Sequence, residues 1–228
     1  MLFSLFCLFV VLQASAEIRI VAVKGDVQVR RGMGEQWVKA ERGDILKPED
    51  SMKSGKKSTA VITVDGKNKI SVPELVIIDC SDLRTLTQEQ LLLMLAMEKV
   101  RSVPADRREY EMFIPKTTTV HGENRGAVDS RSQGKSTAGV LQLNGTKVLY
   151  KQGYYATCVL KTKEVFRLNP ELLNKFDARL TVANALEQMH LQGEALGEYL
   201  ALKKAQLTPQ QYSLVEQKIG ELRRKAKG

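Results

Sequence analysis

LQLNGTKVLY, residues 141–150, sets an Asn-Gly pair between two runs in which apolar and polar residues alternate. Asn144-Gly145 suits a primed two-residue turn, because glycine has no Cβ to oppose positive φ and asparagine tolerates the left-handed region. The spacing predicts a β-hairpin. With that hairpin in place, residues 153–159 and 162–166 read as further β structure, and strand character is expected to run as far as Phe166.

The N-terminal half points the same way. Ile18 and Ile20, then Val27 and Val29, alternate with polar neighbours as half-buried strands do. Residues 60–64 form another strand, Asp65-Gly66 turns it into residues 69–72, and residues 76–78 close the section. Gly25-Asp26 and Gly43-Asp44 read as turns between strands, since aspartate can hydrogen-bond its own backbone, and Trp37 between them reads as a core aromatic.

The period changes in TLTQEQLLLMLAMEKVR, residues 85–101. Thr87 with Gln90 three residues on forms a capping box, and Leu91, Leu92, Met94, Leu95 and Val100 supply a wide apolar helical face. This helix is expected as an insertion over 87–101. Residues 121–138 carry almost no large apolar side chains and read as a disordered surface loop. Beyond it, Asn169-Pro170 starts a helix expected to reach about Leu191, Gly193 breaks it, a second helix covers 194–205, and Thr208-Pro209 starts a third. Tyr212, Val215, Ile219 and Leu222 share one face of that third helix. The expected fold class is α+β: a mainly antiparallel β domain over 17–166 with a helical insertion, followed by a helical hairpin or bundle over 169–228.

The first sixteen residues, MLFSLFCLFVVLQASA, are an apolar run too short for the roughly 20 residues of a membrane span. Ala14-Ser15-Ala16 gives a small-x-small cleavage pattern, so residues 1–16 read as a signal peptide cleaved before Glu17, although no Lys or Arg precedes the apolar run. Lipid attachment at Cys7 is the weaker alternative. An exported chain would be periplasmic or secreted, with no transmembrane span after cleavage. Cleavage leaves Cys80 and Cys158, either a disulfide pair or two separate buried thiols.

Catalytic chemistry has little local support. The two histidines, His121 and His190, lie far apart, and no closely spaced Cys or His pair suggests a metal site. Gly32-Met33-Gly34 precedes no helix, so it is no dinucleotide fingerprint, and no nucleophile elbow or Walker loop occurs. No catalytic residue, cofactor or metal is expected. One arrangement would point to a hydrolase: Asp26, Asp44 and Asp50 converging in a single pocket. The net charge of +9 favours anionic partners. Its clusters are Arg30-Arg31, Lys56-Lys57, Lys203-Lys204 and Arg223-Arg224-Lys225, which read first as solvated faces. Export argues against a nucleic-acid partner.

The order Gly25-x-Val27-x-Val29, Trp37, Ala40, Gly43-Asp44-x-Leu46, Asp50-x-Met52, Gly55, Ser58-x-Ala60 and Asp65-Gly66 before Ile70 resembles the FecR-type extracytoplasmic domain. The fold-signature positions are Gly25, Asp26, Trp37, Gly43, Asp44, Asp65 and Gly66. The resemblance implies a β-rich module facing the periplasm and brings no catalytic residues. The family's best-known members add a membrane span and a sigma-regulating tail, which this chain does not match. The C-terminal run weakly resembles a tetratricopeptide unit, with Ala183 and Leu186 on one helix and Ala195 and Tyr199 on the next, though a plain helical hairpin accounts for the same residues. The expectation is a non-enzymatic sensing or protein-interaction module of the bacterial cell envelope with a protein partner. The alternative is a binder of an anionic envelope polymer, a glycan, through basic patches.

Overall fold

The computed structural model describes residues 17–101 and 128–225. Residues 1–16, read above as a signal peptide, and His121 lie outside them. The fold is α+β, with eight strands followed by six α-helices among the described residues. The strands are β1 (Ile18–Lys24), β2 (Val27–Arg30), β3 (Trp37–Lys39), β4 (Ile45–Leu46), β5 (Ser51–Ser54), β6 (Thr59–Val64), β7 (Asn68–Val72) and β8 (Val76–Asp79). They form two antiparallel four-stranded sheets, ordered β4-β1-β6-β7 and β3-β2-β5-β8.

The alternation read from the sequence sets which face is buried. Ile18, Ile20, Ile62 and Ile70 from the first sheet join Val27, Val29, Met52 and Ile78 from the second in one apolar cluster. At the β6–β7 turn both Asp65 (φ 53°) and Gly66 (φ 65°) are left-handed, and Lys67 N–H donates to the Val64 carbonyl at 3.2 Å. That is the backbone a primed turn requires.

The helices are α1 (Gln88–Arg101), α2 (Val128–Lys151), α3 (Tyr155–Leu168), α4 (Phe176–Gln188), α5 (Gln192–Lys203) and α6 (Pro209–Lys225). At α1 the capping box is reciprocal: Gln90 N–H donates to Thr87 Oγ1 at 3.2 Å and Thr87 N–H to Gln90 Oε1 at 2.9 Å. Its buried face is narrower than the sequence suggests, with Leu91 buried and Leu92 exposed.

Residues 141–150 are not a hairpin. They are the C-terminal half of α2, and residues 155–168 are α3. Residues 128–138, read as part of a loop, also belong to α2, while 121–127 lie outside the described residues. Gly139, Leu143, Thr146 and Leu149, spaced four, three and three, are buried on one face of α2, and Gly145 and Val148 beside them widen that face. Its glycines are packing positions: a Cβ on Gly139 would meet Leu172 Cδ1 at 2.8 Å, and one on Gly145 would meet the Ile77 carbonyl oxygen at 2.0 Å. α2 lies along the edge strand β8, and Asn144 Nδ2 donates to the carbonyl of Leu75, the residue just before that strand, at 2.8 Å.

The helices after α2 pack each on the next. Asn169 does not cap a long helix. Its Nδ2 donates back to the Val165 carbonyl at 2.9 Å, closing α3, and a short 3-10 turn, Pro170–Leu172, leads to α4. The break between α4 and α5 is at His190, exposed and left-handed (φ 58°), and Gly193 lies inside α5. Glu187 ties three helices together: it shares Tyr199 Oη (2.9 Å) on α5 and pairs with Lys218 (3.1 Å) on α6.

Candidate functional site

The four strands of the second sheet place Trp37, Arg30, Ser51 and Asp79 in one cross-strand row, because Arg30 pairs with both Trp37 and Ser51, and Ser51 with Asp79. Directly paired residues share a face. The opposite face carries Val29, Met52 and Ile78 into the core; on the row's own face Trp37 and Arg30 are half-buried and Ser51 is buried.

Trp37 is the correction that matters most here. It is not a core aromatic. It is half-buried on β3, which among the described residues pairs only with β2, and its ring lies beside two cations. Lys53 Nζ is 4.6 Å from the ring centroid and Arg30 Cζ is 5.3 Å from it. The lysine comes from β5, on the same side of the sheet. The alternating pattern of β2 and β5 fills the core with aliphatics and leaves the indole to the surface.

From Arg30 a polar chain runs inward. Arg30 Nη2 donates to Ser51 Oγ at 3.0 Å, and Ser51 Oγ donates to Asp79 Oδ1 at 2.6 Å. Asp79 Oδ2 meets Lys161 Nζ of α3 at 2.6 Å, and Lys161 also reaches Glu164 at 2.8 Å. Arg30 Nε is buried without a hydrogen-bond partner among the described residues. The outer face of the sheet is thus wired to the helical layer.

Burial pushes the Asp79 carboxyl up, but Lys161 and the Ser51 hydroxyl more than offset it and hold Asp79 below the ordinary carboxylate range. Burial alone would lower Lys161; Asp79 and Asp82 raise it instead. Asp82, on the 3-10 turn Cys80–Asp82, is pushed up to about 7 by burial, with Asp79 and Glu164 adding to the shift and Lys161 opposing it.

Apart from Trp37 on β3, the signature residues occupy turns. Gly25, Gly43 and Gly66 all have positive φ (79°, 97° and 65°). Asp26 accepts from Gln28 Nε2 at 3.0 Å, and its N–H donates to Ser58 Oγ at 2.8 Å. Asp44 accepts from the Glu41 N–H at 3.0 Å, and Asp65 from the Glu17 N–H at 3.1 Å. Asp50 is buried and holds its loop together, accepting from the Gly32 N–H, the Lys47 N–H and Arg31 Nη1, each at 2.9 Å. Asp44 and Asp50 are linked through Arg31, with Asp44 3.7 Å from the guanidinium, whereas Asp26 belongs to the β1–β2 turn. The three carboxylates serve three turns and do not converge.

Cys80 and Cys158 are both buried free thiols, and burial pushes each up to about 12. Among the described residues no group of three His, Cys, Asp or Glu side chains is placed to hold a metal ion, and no helix is long and apolar enough to cross a membrane. Several members of the basic clusters have internal partners: Arg31 with Asp50, Lys203 with Glu216, and Lys225 with Glu187.

The sequence reading missed β4 of the first sheet and β3 and β5 of the second, hence the row that β3 and β5 help to build. The signal was present as the two-residue steps Gln28–Arg30, Trp37–Lys39 and Ser51–Lys53. Compared with known proteins, the chain matches no family model, no curated protein and no solved structure.

Proposed function

We propose that the chain is an exported, non-enzymatic module of the bacterial cell envelope, built on a FecR-like β-domain, that senses or recruits a protein partner through the Trp37 face of its second sheet. The observation that carries this reading is the displayed Trp37 beside Arg30 and Lys53 on a strand with an open edge. Tryptophan and arginine dominate the energetics of protein interfaces because they combine apolar area with directional polar contacts. An edge strand adds unpaired backbone groups that a partner strand can use.

Sensing follows from the polar row. A partner carboxylate that draws Arg30 away from Ser51 frees the Ser51 hydroxyl, and Asp79 then rebalances between Ser51 and Lys161. The change reaches α3 through named side chains.

The test replaces Lys39, exposed beside Trp37, with a photo-reactive phenylalanine analogue in the chain carrying its leader. The expected result is a discrete protein adduct in the envelope fraction that is lost in Trp37→Ala at unchanged melting temperature. An adduct pattern indifferent to Trp37→Ala overturns the reading. N-terminal sequencing of the fractionated protein is expected to begin at Glu17.

A further inference from the structure

A cleft lies elsewhere, sharing no residue with the Trp37 face. Its walls are the β6–β7 turn, the loop at 83–85 and the α2–α3 turn, and its volume is about 520 Å³. Two walls are tight turns whose backbones are fixed, with Asp65, Gly66 and Gly153 at positive φ.

Lys67, Lys69 and Arg84 line this cleft, with Asn68, Thr85 and Gln152 between them. All six are exposed. Among the described residues neither Lys67 nor Lys69 has a carboxylate within salt-bridge distance, in contrast to the paired members of the basic clusters. Arg84 lies near Asp82. The one acid in the lining, Asp65, already accepts the Glu17 N–H. On one side the half-buried Tyr154 borders the cleft beside Asn68.

Cations gathered in a concave site focus a positive potential and raise the local concentration of anions. A purely apolar ligand has little to hold here, because the lining consists mainly of amide, hydroxyl and charged groups. Amides and hydroxyls among cations suit a ligand that is itself rich in hydroxyls and carries a negative charge. The volume falls within the range of roughly 300–1,000 Å³ typical of small-ligand sites. We infer that this cleft binds an acidic saccharide: Lys67, Lys69 and Arg84 hold its carboxylate or phosphate, and Asn68, Thr85 and Gln152 meet its hydroxyls.

The test is calorimetric titration of the full chain at near-physiological salt. The probes are an oligogalacturonate, a phosphorylated mannan oligosaccharide, a neutral dextran oligosaccharide, inorganic pyrophosphate and a single-stranded oligothymidylate. At least one acidic oligosaccharide is expected to bind saturably and about tenfold or more tighter than both dextran and pyrophosphate. Which one binds identifies carboxylate or phosphate as the charge. Lys67→Ala/Lys69→Ala is expected to weaken it about tenfold or more, while Arg223→Ala/Arg224→Ala and Trp37→Ala leave it unchanged. Circular dichroism checks that each variant is folded, and all the cleft substitutions are at exposed positions. Equal binding of dextran, pyrophosphate or oligothymidylate, wild-type affinity in the Lys67/Lys69 variant, or no saturable binding by either acidic probe overturns the assignment.

Discussion

Gly145 and Ile77 meet backbone to backbone: a Cβ on Gly145 would stand 2.0 Å from the Ile77 carbonyl oxygen. The contact seats α2 against β8, and the side-chain amide of Asn144 holds the neighbouring Leu75 carbonyl. Because the obstacle is backbone rather than a movable side chain, alanine cannot be accommodated without displacing the helix. Gly145→Ala is expected to destabilise the chain by about 2–4 kcal/mol, even though alanine is the better helix former. Urea denaturation measures it as a lower midpoint. Gly193→Ala, in open space at the start of α5, is the control and is expected to be neutral or stabilising.

Lys161 and Asp79 form the joint between helix and sheet, 2.6 Å apart with 12% and 18% of their side chains exposed. Removing the lysine leaves Asp79 with only Ser51, so Lys161→Ala is expected to cost about 3 kcal/mol. The double variant Asp79→Leu/Lys161→Met is expected to lose less than the sum of its single changes. A double-mutant cycle by denaturation measures the difference as a coupling energy.

Stability should respond to pH in two opposed ways. Asp50 is buried; burial raises its carboxyl, but the Lys47 and Gly32 N–H groups and Arg31 bring it below the ordinary value of 3.8. The folded state therefore binds the Asp50 proton less readily than the unfolded state. Its stabilising contribution is present above the unfolded pKa and is lost as pH falls through the folded one. Asp82 is the reverse, with a folded pKa of about 7 against 3.8. As pH rises from about 4 to about 7 the unfolded chain releases this proton while the folded chain keeps it, and stability falls. Asp82→Asn is expected to match the parent below pH ~4 and exceed it by about 1–3 kcal/mol above pH ~7. Melting temperatures across pH 3–9 (roughly the range that spans both titrations) check the sign.

Cys80 and Cys158 are free and buried, each with its thiol pushed up to about 12 by burial. A thiol held protonated is a poor nucleophile. The native chain should resist iodoacetamide and release both thiols to labelling only on unfolding. Dithiothreitol should leave the melting temperature unchanged, whereas a drop on reduction would indicate a disulfide.

Strands β1, β2, β6, β7 and β8 were legible because alternation survives inspection of a few residues at a time. Ile18, Ile20, Val27, Val29, Ile62, Ile70 and Val72 all lie in the core as their spacing implies. Capping at Thr87 and the start of α6 at Pro209 were equally readable, since both are written in local chemistry. Asn144-Gly145 misled for a physical reason. A glycine that permits a turn and a glycine that permits backbone contact are the same residue, and only the long-range neighbour, Ile77, separates the two uses. The β-branched Thr157, Val159, Thr162 and Val165 favoured strand by propensity, yet all four are buried in α3, where packing outweighs propensity. Trp37 read as core because large aromatics usually are, while its display depends on strand pairing that spans β2, β3 and β5.

Trp37 is the only tryptophan, so its fluorescence reports on the proposed face without labelling. Iodide quenching of the purified chain, with and without a detergent-solubilised envelope fraction, tests the account most directly. The account predicts that iodide, drawn by Arg30 and Lys53, quenches the free chain strongly and caesium weakly, and that the envelope fraction protects Trp37 saturably. Emission that neither ion quenches would contradict the displayed indole, and iodide quenching unchanged by the envelope fraction would contradict its role in binding.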